Sequence, residues 1–142
     1  MFFIKTIWRR RAEVKAQDKE KWDNLSKEAK AWMLPRLSTL AQMYGFSYNR
    51  VFIKHNKTNW GSCSSKQNIN LNMTLMLLPE HLREYVMLHE LCHLRFFNHG
   101  GDFHRLLNTL CLERIGLPEK ELRKELRGYR AYTGQKILQI KK

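Results

Sequence analysis

The sequence predicts an α+β domain: a small antiparallel sheet packed on a central helix that carries the pattern HExxH, with further helices on either side. Two observations lead there. Apolar residues recur at helical spacing in separate stretches, and between the first and second of these the period shortens to two, as in half-buried strands. Gly or Pro stands at most of the transitions. With 142 residues, 43% of them hydrophobic, the chain is long enough for one real core. No apolar run approaches the roughly 20 residues needed to cross a bilayer, so no membrane role is expected.

Residues 1–22 read as a short apolar patch followed by Arg-, Lys- and Glu-rich sequence ending at Trp22, without a clear choice between strand and helix. From Leu25 to Tyr44, Leu25, Ala29, Trp32, Met33, Leu37, Leu40, Ala41 and Tyr44 repeat at helical spacing. Pro35 is expected to kink or divide that helix, and Gly45 to close it. Val51 and Ile53 alternate with Phe52 and Lys54, predicting a strand. Thr58 to Ser64 is a second extended stretch. After a turn at 64–68, Asn68, Ile69, Asn70, Leu71 and Asn72 alternate again, so a hairpin is expected, and an extended peptide could add to the edge of the 67–72 strand.

Pro79 and Glu80 suit the start of the next helix, predicted to run from Leu82 to Phe97 and to break at Asn98, His99, Gly100 and Gly101. Asp102 is a natural N-cap for a helix carrying Phe103, Leu106, Leu107, Leu110 and Cys111 to a stop at Gly116. A short charged helix follows from Pro118 to Arg127. The expected organisation is a basic segment at 1–24, a domain at 25–130 and a basic tail at 131–142.

Within the central helix, His89 and His93 stand four residues apart and share one face. Both rings can turn a nitrogen toward one divalent ion at about 2.0–2.1 Å, while Glu90 can reach a water on it. That is the arrangement of zinc hydrolases. Leu82, Val86, Leu91 and Leu94 surround the motif, so its polar groups should be buried, and without partners they would cost roughly several kcal/mol. A catalytic site needs a third protein ligand. His99, followed by the freedom of Gly100 and Gly101, and His104, on the next helix, are the candidates. His99 is favoured, with His104 facing substrate or bonding to a ligand, yet spacing alone does not decide. Trp60 and Cys63 read as core residues under the helix.

The three cysteines, Cys63, Cys92 and Cys111, show no CxxC spacing, which argues against a disulfide framework and for a reducing, cytoplasmic location. The start does not read as a signal peptide, because Arg9, Arg10 and Arg11 follow the apolar residues. The net charge is +13. Residues 1–36 hold ten Lys/Arg against five acids and residues 113–142 nine against four, while the middle holds seven against four. Basic flanks of this kind attract nucleic acid non-specifically, or other polyanions.

Thr58 to Cys63, Ile69 to Asn72, Pro79, Tyr85 and Val86 before the HExxH motif, then Asn98, His99 and Phe103, resemble in order the YgjP-like metallopeptidase-type family, related to SprT-like and WLM zinc proteases. The resemblance covers roughly residues 25–130. It implies a zincin-like α+β fold, His89, His93 and His99 as zinc ligands, and Glu90 as catalytic acid/base. Asn59 stands where the family usually has Arg, His104 where Trp is common, and the N-terminal strands of longer members are shortened or missing. One Zn2+ ion is expected, with Ni2+ or Co2+ able to substitute.

The expected activity is cleavage of a polypeptide substrate by a metal-activated water with Glu90 as base. His104, Asn98 and Asn70 are candidate substrate contacts. Alternatives are hydrolysis of nucleotide phosphoanhydrides, a SprT-like protease recruited to nucleic acid by its basic surface, and a purely structural zinc protein.

Overall fold

A computed structural model describes residues 2–56 and 58–129, with side chains from Asp18 onward. The expected basic tail at 131–142 lies outside the described residues. Helix α1 spans Phe2–Tyr44 and resolves the ambiguity of the first 22 residues in favour of helix. It runs through the expected boundary at residue 24 and continues through Pro35; of the expected kink or division, the division does not occur. The ring removes one backbone donor, but Leu37, Leu40 and Ala41 beyond it are buried with Ala29 and Met33 before it, so one apolar stripe holds both halves. Gly45, at φ 73°, ends the helix, and Phe46 N–H donates to Ala41 O at 2.8 Å, a left-handed C-terminal cap.

Three strands follow: β1 (Arg50–Lys54), β2 (Gly61–Cys63) and β3 (Asn68–Asn72), in spatial order β1-β3-β2. The hairpin of β2 and β3 is antiparallel, but β1 pairs with β3 in parallel, so the sheet is mixed and not the antiparallel one expected. The cause is the 55–60 loop. Asn72, 2% exposed at the end of β3, donates through Nδ2 to Asn56 O at 2.6 Å and Asn59 O at 2.9 Å. The loop is thereby pinned across the end of β3, and β2 returns on the far side. It follows that the 67–72 strand is central and has no free edge. The outer edges are those of β1, which contacts α1, and of β2, beyond which no further strand pairs among the described residues.

Helix α2 (Glu80–Cys92) touches α1, β2, β3 and the two helices after it, α3 (Gly101–Arg114) and α4 (Glu119–Arg127). Its buried residues, among them Leu82, Val86, Met87, Leu88 and Leu91, lie on every face, as suits a helix inside the core. Glu84 ties it to its neighbours: it is paired with Arg36 of α1 and accepts from Arg114 Nε of α3 at 2.7 Å. Two expected boundaries move. Helix α2 stops at Cys92, not Phe97, and α3 is capped by Gly100, while Asp102 lies in its first turn and pairs with Arg105. Among the described residues no helix is long and apolar enough to cross a membrane.

Candidate metal centre

The early end of α2 shapes the centre. His89 lies in its last turn, His93 is its C-terminal cap, and the chain then turns tightly enough to bring His99 back. The Nε2 atoms of His89 and His93 are 3.2 Å apart, those of His89 and His99 3.3 Å, and those of His93 and His99 2.8 Å. Nδ1 of His93 lies 3.1 Å from Phe96 O, so its proton is donated there and the Nε2 lone pair faces the other two rings. Burial pushes the His89 ring down to about 3, helped by the neighbouring His93 and His99, and burial also lowers His93. Neutral rings with converging lone pairs repel one another unless a cation lies among them.

These distances resemble those of a metal site. Tetrahedral ligands at about 2.0–2.1 Å from an ion are about 3.3–3.4 Å apart, close to the two edges at His89, while the His93–His99 edge is shorter at 2.8 Å. Among the described residues, His89, His93 and His99 form the one group of three or more His, Cys, Asp or Glu side chains able to hold an ion together. Cys63 is not part of it; burial, and then Glu90, push its thiol up to about 11. A fourth position is thus left without a protein donor. Phe103 of α3, fully buried, packs against all three rings, stacked on His93 at 4.4 Å and 5.0 and 4.9 Å from His89 and His99. The sequence marked Phe103 as an apolar helix position and as one of the residues of the family resemblance, without placing it against the histidines.

Glu90, 5% exposed, lines a cleft of about 450 Å³ together with His89 and His99. Burial pushes its carboxyl up to about 8. Gly61 of β2 makes room for it: a Cβ there would stand 3.2 Å from Glu90 Cγ and Oε2 and 3.1 Å from Asn70 O. The backbone of β2 is also placed for use. Asn72 N–H donates to Trp60 O and Ser64 N–H to Asn68 O, so the groups of Gly61 and Cys63, between these, face the open edge.

The other expected contacts separate. His104 lines the cleft, its ring 6.3 Å from that of His99. Asn98 is exposed and lies outside the cleft wall, and Asn70 bonds to Ser62 Oγ at 3.2 Å and lines a smaller cavity of about 120 Å³ across Gly61. Trp60 is half-buried and lines the cleft besides touching the core, which corrects its reading as core alone. Sequence reasoning missed Tyr85, Glu119 and Arg123 in the cleft wall. Tyr85 Oη donates to Glu119 Oε1 and Arg123 to Glu119 Oε2, each at 2.8 Å. The i, i+4 spacing of Glu119 and Arg123 was the available signal.

The family model of the YgjP-like metallopeptidase domain matches residues 3–126. The chain belongs to that family. As a YgjP-like metallopeptidase domain it has the machinery class of a metal-dependent peptidase, and its three converging histidines fit a divalent metal. The crystal structure of the metallopeptidase zymogen of Pyrococcus abyssi abylysin is similar, with a TM-score of 0.51 and 22% identity over 75% of this chain and 91% of that one. That likeness concerns the fold and supports a zincin-like one. No curated protein matches the chain.

Proposed function

We propose that this YgjP-like domain is a zinc-dependent peptidase in which His89, His93 and His99 hold the ion and Glu90 is the general base. The reading is carried by one observation: three Nε2 atoms lie within 3.3 Å of each other, and two of the residues that carry them, His89 and His99, line the cleft that holds a buried carboxylate. A zinc ion held by His89, His93 and His99 would supply the Lewis acidity needed to polarise a scissile carbonyl and to make water acidic enough for attack near neutral pH.

The chain's own groups do the rest. Glu90 takes a proton from the attacking water and returns it to the leaving amide nitrogen; a carboxyl raised by burial holds the transferred proton more firmly than an exposed one. The Phe96 carbonyl keeps the His93 proton on Nδ1, so the other nitrogen stays a donor. Gly61 and Cys63 offer N–H and C=O groups on the β2 edge to an extended polypeptide, which would lie beside α2 as an added strand.

The test is Glu90→Gln. It should leave about one metal ion per chain, measured by elemental analysis, while peptide hydrolysis falls by about 10³-fold or more, at the upper part of the range for a lost acid/base group. Retained turnover would remove Glu90 from the mechanism. A metal content that falls with the activity would assign it to metal binding instead.

A further inference from the structure

Helix α4 carries a charge pattern that the hydrolytic centre leaves unused. Lys120, Arg123, Lys124 and Arg127 stand at i, i+3, i+4 and i+7, hence in one stripe, and all four are exposed. Two of the helix's acids are already engaged: Glu119 is buried against Tyr85 and paired with Arg123 of the stripe, and Glu125 is held by His81 at 2.7 Å. Glu121 is the single acid lining the groove of about 400 Å³ along the stripe. Arg123 lines that groove and also the cleft containing Glu90, so the two surfaces are continuous.

We infer that the α4 stripe seats acidic residues of the substrate, so that the enzyme selects extended polypeptide segments with Asp or Glu clustered on one side of the scissile bond. The inference rests on the peptidase reading above. From residue 120 to 127 the helix rises about 10 Å, the length of about three residues of extended chain. Arg123 already holds one carboxylate, that of Glu119, and remains 45% exposed, with a planar fork of donors suited to a second. A polypeptide matches the cleft better than a phosphodiester chain does. It carries N–H and C=O groups at the spacing of a strand and so can pair with both kinds of group on the β2 edge, and its apolar side chains suit Trp60, Val86 and Leu126 in the wall.

The test uses the zinc-loaded full chain and fluorogenic peptides with one common cleavable centre, carrying three Glu or three Gln on the N-terminal or the C-terminal side. Three exposed ion pairs of a few-fold each predict a kcat/KM about tenfold higher for the acidic peptide on one side, mostly through KM. The advantage should vanish in about 0.5 M salt. In K120Q/K124Q/R127Q the acidic-to-neutral ratio should fall toward one, a readout that partial misfolding does not mimic. Binding of the same peptides to Glu90→Gln, followed by fluorescence anisotropy, should show the same ratio.

A ratio of one in the unaltered protein, or a ratio kept in the triple variant, overturns the inference. So does a triple variant that loses binding of a single-stranded oligonucleotide or a nucleoside triphosphate while keeping its peptide ratio, since the stripe would then serve phosphates. If no peptide is cut, the peptidase reading has failed. The stripe is then judged by anisotropy alone, where equal binding of acidic and neutral peptides refutes it.

Discussion

Replacing Gly61 with Ala probes the contact between strand and base. The added Cβ would meet Asn70 O at 3.1 Å and Glu90 Cγ and Oε2 at 3.2 Å, where ordinary contact begins near 3.4 Å. The Asn70 carbonyl belongs to central strand β3 and is fixed by pairing on both sides, so the yielding partner is the Glu90 side chain. A misplacement of 1 Å costs about a hundredfold in rate; a retreat of a few tenths therefore predicts a kcat about fivefold lower, with KM little changed. The crowding against β3 adds about 1 kcal/mol of destabilisation, which for a domain of this size lowers Tm by about 3–4 °C. Peptide hydrolysis, thermal unfolding and metal analysis on one preparation separate these effects. Gly100→Ala is the comparison: a Cβ there meets nothing within 4 Å, so kcat should not move appreciably, and Tm should fall only by what a poorer N-cap of α3 costs. An unchanged kcat at position 61 together with a lowered Tm would mean that the carboxylate does not need the space the glycine leaves.

Two further outcomes are expected. Glu84→Gln should destabilise the fold by about 2 kcal/mol at pH 7, below the 3–5 kcal/mol of a fully buried pair because Arg36 and Arg114 still reach water. Burial alone would raise the Glu84 carboxyl, but hydrogen bonds from Arg114 and Arg36 outweigh it and hold the group below its ordinary 4.5. The stabilisation is therefore complete above pH 4.5 and is lost as pH falls through the depressed native value, so the gap between the two proteins in urea titrations should close in acid. A gap independent of pH would show that the charge is not its source. His99→Ala should weaken metal binding by roughly a hundredfold or more, since even partners of a ligand cost ten- to a hundredfold. His104→Ala should keep one ion per chain and change only peptide turnover, as elemental analysis and kinetics would report; loss of metal there would exchange the roles of the two histidines.

The i, i+4 spacing of His89 and His93 was legible because a helix turns any such pair to one side, and the apolar residues around them announced burial. His99 was harder. A chain can curl back after ten residues only if the helix ends early, and Leu94, Phe96 and Phe97 read as a continuation of it, though the structure turns at His93. The order of the strands was not legible at all. Alternation in Val51 to Lys54 states which side chains face inward, not which strand lies alongside, and the side chain that decides, Asn72, acts on the backbone of a loop thirteen to sixteen residues away. The place of Tyr85, Glu119 and Arg123 in the cleft wall was not legible because the cleft they share with Glu90 joins α2 to α4, a contact between elements that no local period records.

One physical cause acts on both kinds of group in the centre. The core around α2 and Phe103 dehydrates His89 and Glu90, and dehydration penalises whichever form is charged. It therefore moves the imidazole down to about 3 and the carboxyl up to about 8, in opposite directions. An imidazole that resists protonation keeps its lone pair for a cation, and a carboxyl that resists ionisation holds a proton well. The same burial thus keeps a proton off the His89 lone pair near neutral pH and lets Glu90 hold a transferred proton, and Gly61, by admitting the carboxylate against the strand, lets both occupy one dry wall of a cleft that is otherwise open to substrate.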